Sequence, residues 1–212
     1  MMTHDLPAAC HLHAPGSSMI SSDRLLLIRS RAASLLLAQK LQSPFAMGLL
    51  DLRRFRGAFL LDTLENFSAL TSAPLPAPLP DGMTLLRKNG KPLILYASHL
   101  SPTRRNFTLA HEMGHLSLSH RVPSPSAERE ANAFASALLM PPIVIAAWEE
   151  EHGYRMNEEE ILRCFAVSRT AARRCRSDLD GHPMIRYSPE EYRLIETLWQ
   201  SKDGMAPLEW YM

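Results

Sequence analysis

His111-Glu112-Met113-Gly114-His115 is the stretch from which the rest of this chain can be read. On a helix of about 3.6 residues per turn, side chains four apart stack one turn above another, so both imidazoles can reach one ion with Glu112 on the flank. That is the geometry for holding zinc and activating a water. Ser101-Pro102-Thr103 upstream has the form of a cap followed by proline at the first helical position, which predicts a helix from about Pro102 that carries both histidines in its interior. In projection Phe107, Ala110, Gly114 and Leu118 share the histidine side, while Leu109, Met113 and Leu116 lie opposite. Apolar residues on both sides predict a buried helix. The competing reading is a core helix whose histidines are only hydrogen-bonded, and phase and burial weigh against it.

Zinc in a hydrolase usually takes three protein ligands and leaves a position for water. Ser124-Pro125 repeats the cap-then-proline signal, and Pro141-Pro142 forbids continuation, so a second helix is expected at about Pro125 to Met140. Glu128 and Glu130 in its first turns point about 200° apart, so only one can face the ion. Glu128 is favoured: Ala131 permits close approach of the two helices, and Asn132 stands one turn on to orient a histidine. Glu130 is then expected to face solvent.

The run Arg104-Arg105-Asn106-Phe107-Thr108-Leu109-Ala110-His111-Glu112-Met113-Gly114-His115-Leu116, followed by Glu128-Arg129-Glu130-Ala131-Asn132-Ala133-Phe134-Ala135-Ser136-Ala137-Leu138-Leu139-Met140-Pro141, resembles the ImmA/IrrE family of metallo-endopeptidases. The resemblance is strong from about Met83 to Trp148. It implies a zincin-like fold in which His111, His115 and Glu128 bind zinc and Glu112 is the general base. It also implies regulatory proteolysis of a protein substrate, typically a helix-turn-helix repressor whose removal releases genes of a mobile element or a stress response.

The chemistry expected of such a site is peptide hydrolysis, with Glu112 taking the proton of the attacking water and passing it to the leaving amine. His152, Tyr154, His99 and Tyr96 are candidates for stabilising the oxyanion, and no spacing singles one out. Before the metal helix, Met83-Thr84-Leu85-Leu86 and Leu93-Ile94-Leu95-Tyr96-Ala97 flank Asn89-Gly90, a hairpin signal. An extended peptide could add to an exposed edge of that hairpin.

With 212 residues, 46% hydrophobic and 21% charged, the chain has the composition of a soluble globular protein. The apolar runs Leu25 to Ile28 and Leu35 to Leu37 are too short to span a bilayer, and Met1 to Ser22 has no secretory pattern, so no membrane is expected and the cytoplasm is the default. Cys10, Cys164 and Cys175 fit reduced thiols. Cys10-His11-Leu12-His13 invites a second metal reading, but it sits in a segment, residues 1–22, whose composition points to a disordered tail.

The expected architecture is α+β: a zincin-like peptidase domain over residues 23–148, with a small antiparallel sheet packed on helices, and a helical extension over 149–212. Asp23 to Gln42 is expected as an amphipathic helix, part of Ala46 to Phe67 as another, and residues 71–82, with prolines at 74, 76, 78 and 80, as an insertion. Asn157 and Ser168 should cap two short helices in a helix-turn-helix-like pair, followed by a last helix over Pro189 to Gln200. Arg169, Arg173, Arg174 and Arg176 could meet phosphates, but neighbouring carboxylates and a net charge of only +1 do not favour direct nucleic-acid binding. The rival class is a DNA- or repressor-binding regulatory module with a structural or inactive metal site.

Overall fold

Alternation in Leu93-Ile94-Leu95-Tyr96 sends successive side chains to opposite faces of a strand, and the computed structural model shows both faces covered. It describes residues 19–39, 45, 59–88, 90–181 and 185–200. Strand β3 (Leu93–Tyr96) is the centre of a three-stranded sheet, between β1 (Leu60–Thr63) and β2 (Gly82–Leu85). Ile94 and Tyr96 join the main helical core, while Leu95 faces a smaller cluster with Leu64, Ala97 and Leu100 beneath helix α2 (Leu64–Thr71).

The sheet is mixed, which corrects the antiparallel expectation. β2 pairs antiparallel with β3, as a hairpin should, but β1 runs parallel to β3 with Leu60 opposite Leu93 and Thr63 opposite Tyr96. Leu60-Leu61-Asp62-Thr63 falls within the span of which part was expected as helical, and among the described residues of that span helix begins at Leu64. Four residues carry too little periodicity to separate strand from helix, and pairing with β3 decides it. Residues 46–58 of that span lie outside the described residues, as do the Cys10-His11-Leu12-His13 motif and Asn89 of the hairpin loop.

Helix α1 (Ser22–Ala38) begins at a Ser21 cap, one residue before the expected start, and ends well short of Gln42. Helix α3 (Pro102–Ser117) carries the two histidines and α4 (Pro125–Leu139) the acidic pair. Both start at the expected prolines, although Ser101 makes no side-chain capping bond and Ser124 does, to the Ala127 amide at 3.1 Å. α3 and α4 pack on each other, and α1 lies against α4. Gly114 is what brings α3 and α4 this close: a Cβ there would stand 3.1 Å from both Ala131 Cα and Phe134 Cβ.

Beyond the Pro141-Pro142 break come α5 (Pro142–His152), α6 (Glu158–Phe165), α7 (Arg169–Gly181) and α8 (Pro189–Gln200). Asn157 caps α6 in a reciprocal capping box with Glu160. α8 returns to α1, where Arg29 pairs with Glu191 at 3.1 Å and Ser30 donates to Glu190 at 2.8 Å. Ile28, Phe134, Ile145, Phe165 and Leu198 thus share one buried core. Residues 125–152 are apolar enough by length and hydropathy to cross a membrane, but 67% of their most apolar window is buried in this core and the helix breaks after Leu139.

Candidate metal centre

The i, i+4 spacing on α3 sets His111 Nε2 3.0 Å from His115 Nε2. α4, drawn in at Gly114 and Ala131, presents Glu128 so that Oε2 lies 3.2 Å from His111 Nε2 and Oε1 lies 3.5 Å from His115 Nε2. His111, His115 and Glu128 therefore form a group able to hold a metal ion. Two imidazole nitrogens and one carboxylate are a donor set that suits a divalent transition metal.

The electrostatics of this triangle call for positive charge. Burial works against protonating His111, yet the adjoining Glu128 and Glu112 raise its pKa overall. The hydrogen bonds from His111 and His115 hold the Glu128 carboxyl far below the usual carboxylate range. A metal cation answers the same demand as a proton on the histidines, and it competes for the same lone pairs.

Each histidine is gripped from behind. Asn132 Oδ1 lies 2.9 Å from His111 Nδ1, so the ring donates there and its Nε2 lone pair faces the triangle. Behind His115 stands His120, with the two Nδ1 atoms 3.0 Å apart. His120 Nε2 in turn meets Glu130 Oε2 at 3.0 Å. Glu130 is clamped by Arg24 of α1, whose Nε donates to Oε1 at 2.9 Å and whose Nη2 donates to Oε2. Glu130 is therefore not the solvent-facing carboxylate expected from helix phase; its side chain is 17% exposed. Glu130 does point away from Glu128, but α1 occupies that side of α4.

The chain comes back over His115 because of how α3 ends. Ser119 adopts a left-handed conformation at φ 58°, its amide bonds to the Leu116 carbonyl at 3.2 Å, and the His120 amide reaches the His115 carbonyl at 2.9 Å. This is the 6→1 and 5→2 bond pair of a Schellman cap, with serine in the place glycine usually takes.

Glu112 lies on the sheet side of α3, 8% exposed. Burial raises its pKa, against the pull of a hydrogen bond from Thr84 Oγ1 to Oε2 at 2.7 Å. Thr84 reaches it because Met83 and Leu85 turn to the smaller cluster, leaving Gly82 and Thr84 on the face toward α3. Gly82 allows that approach: a Cβ there would collide with Thr108 Cγ2 at 2.4 Å. Arg104, in the first turn of α3, holds Asp81 at the start of β2 through an Nε–Oδ2 bond of 2.6 Å.

A cleft of about 630 Å³ opens over these groups, lined by β2, by His111, Glu112, His115 and Glu128, and by Leu116, His120, Arg121 and Val122. Among the described residues β2 is an edge strand, and it runs along the cleft. Of the four oxyanion candidates none lines the cleft: His152 stacks on Trp148 at 4.0 Å, Tyr154 donates to Glu160 at 3.0 Å, Tyr96 is buried in the core and His99 is exposed on a turn. Thr84, His120 and Arg24 are not assigned to the site by sequence alone, and Glu130 was expected in solvent. Strand alternation could have flagged Thr84; the others needed the packing of α1.

Residues 73–175 match the family model Peptidase_M78, the IrrE N-terminal-like domain. The chain carries an ImmA/IrrE-family domain. The family is one of metallopeptidases, and the matched segment contains β2, β3, α3, α4, α5, α6 and the first part of α7. Helices α1 and α8 fall outside it. No curated protein matches the sequence.

Proposed function

We propose that this ImmA/IrrE-family chain is a zinc-dependent endopeptidase with a zincin-like core, in which His111, His115 and Glu128 hold the metal and Glu112 is the general base. The observation that carries the reading is the triangle of 3.0, 3.2 and 3.5 Å between the three donor atoms. Tetrahedral zinc with bonds of about 2.0–2.1 Å separates its ligands by about 3.3–3.4 Å, so the donors stand nearly where zinc requires them. Bound zinc supplies Lewis acidity and brings the pKa of its water toward about 7. Glu112 accepts a proton at its carboxylate and returns it to the leaving amine, with Thr84 fixing the rotamer through Oε2. Asn132 holds His111 in the tautomer that leaves Nε2 unprotonated. The exposed edge of β2 gives an extended substrate a line of backbone groups along the cleft.

The substrate in this reading is a regulatory protein of the cytoplasm, a helix-turn-helix repressor, by the family resemblance. Direct DNA binding through α6 and α7 is not favoured, because three of the four arginines of α7 are taken up by carboxylates: Arg169 by Glu159 at 2.8 Å, Arg173 by Glu158 at 3.2 Å, and Arg176 by Glu149 and Asp180.

The test is to incubate the zinc-loaded protein with candidate helix-turn-helix repressors, beginning with any encoded beside it. Cleavage is expected for the native chain, and Glu112→Gln should keep the zinc and lose at least about 100-fold in rate. Binding of the repressor without cleavage would instead favour a regulatory binding module, and cleavage at an undiminished rate by Glu112→Gln would sink the mechanism.

A further inference from the structure

We propose that His120 and Glu130, anchored by Arg24 of the N-terminal helix, are positioning residues that hold His115 in its metal-binding tautomer. The inference rests on the metal-centre reading and assigns roles to three residues beyond it.

Glu130 receives both a fork from Arg24 and the approach of His120 Nε2, and an ionised carboxylate only accepts hydrogen bonds. His120 Nε2 therefore carries a hydrogen. In the neutral ring Nδ1 is then the acceptor, and the atom 3.0 Å from it, His115 Nδ1, must donate. That leaves the lone pair of His115 on Nε2, the atom facing His111 and Glu128. Read backwards, an Nε2–H tautomer of His115 would set two acceptors against each other at Nδ1. The relay discriminates between tautomers as well as fixing the ring plane.

Its parts are held with little slack. The His120 side chain is 11% exposed, and the Schellman cap at Ser119 ties its backbone to that of His115. Glu130 sits on α4, the helix that also supplies Glu128, so one element sets both a ligand and the far end of the relay. Arg24 comes from α1, outside the family-matched segment. The N-terminal helix thereby completes a metal centre whose ligands all lie elsewhere. Groups that orient a ligating histidine typically contribute about 10–100-fold to metal affinity.

The experiment measures zinc affinity of the full chain by competition with a chromophoric chelator, alongside the visible spectrum of the cobalt-substituted protein. His120→Phe keeps a ring and removes the acceptor, and it is expected to bind zinc about 10–100-fold more weakly with altered cobalt bands. His120→Asn places Oδ1 near the position of Nδ1, so it should recover most of the affinity and the native spectrum. Arg24→Met, which leaves the two inner groups in place, should show a smaller loss in the same direction. Native affinity and spectrum in His120→Phe would overturn the proposal, as would a folded His120→Asn no better than His120→Phe. If His120→Phe does not fold, Arg24→Met decides: weakened zinc binding supports the relay and unchanged binding overturns it. A native chain that binds no zinc overturns the metal-centre reading itself, and this proposal with it.

Discussion

Glu128 and Glu130 are two residues apart on one helix, and the side of α4 each occupies separates their roles. Glu128 touches both histidines of the triangle, whereas Glu130 lies behind His120. Glu128→Ala should abolish stoichiometric zinc binding, while Glu130→Ala should weaken it by about tenfold, both measured by metal analysis after dialysis against a chelator. Equal retention of zinc in both would mean that neither carboxylate is a ligand. Glu130 also predicts a pH effect. The hydrogen bonds from Arg24, helped by His120, hold its pKa below the ordinary value of 4.5, so its stabilising contribution is complete above that value and is lost as the pH falls through the lower folded-state pKa. The Tm of the native chain should therefore exceed that of Glu130→Gln at neutral pH, and the gap should close as the medium is acidified below about pH 4. A gap that stayed constant with pH would assign the effect to packing.

At the scale of elements, the α3–α4 contact is the decisive one, because it brings donor atoms of both helices into one triangle. Gly114 normally lies inside a helix at a cost, and alanine there would ordinarily stabilise by about 1 kcal/mol. Here the added Cβ would press on Ala131 and Phe134 at 3.1 Å, a backbone atom among them. Gly114→Ala is expected to destabilise by about 1–3 kcal/mol and to weaken zinc binding, as seen in denaturant melts and metal titration. A stabilised variant would show that the helices are free to separate. This contact was partly legible beforehand: the caps, the prolines and the small residue Ala131 predicted two helices able to approach closely. The strand β1 was not, since its four residues become a strand only by pairing with β3.

Across the whole molecule, α1 ties the two ends of the fold to the centre. It meets α4 through Arg24 and Glu130, and α8 through Arg29 and Glu191, so α8 bears on the histidine–carboxylate triangle through one intermediary. Leu198 is 1% exposed and belongs to the core that includes Ile28 and Phe134. Leu198→Ala should cost about 2–5 kcal/mol, measured by chemical denaturation, with zinc release and loss of helical signal occurring together. A metal-bound segment outlasting the melting of α1 and α8 would contradict a shared core.

Local rules were enough for what lies within one helix. Spacing on α3 determined which two histidines share a face and that Glu112 lies beside them, and caps and prolines determined where α3 and α4 begin and where α4 stops. The short-range phase of α4 also separated Glu128 from Glu130. Only the tertiary structure decided what each of these side chains meets on the far side: Thr84 behind Glu112, His120 behind His115, and Arg24 behind Glu130 across 106 residues of chain. Periodicity reports the direction in which a side chain leaves its own helix. What waits there depends on which other element packs on that face, and that is settled by the burial of apolar surface over the whole chain.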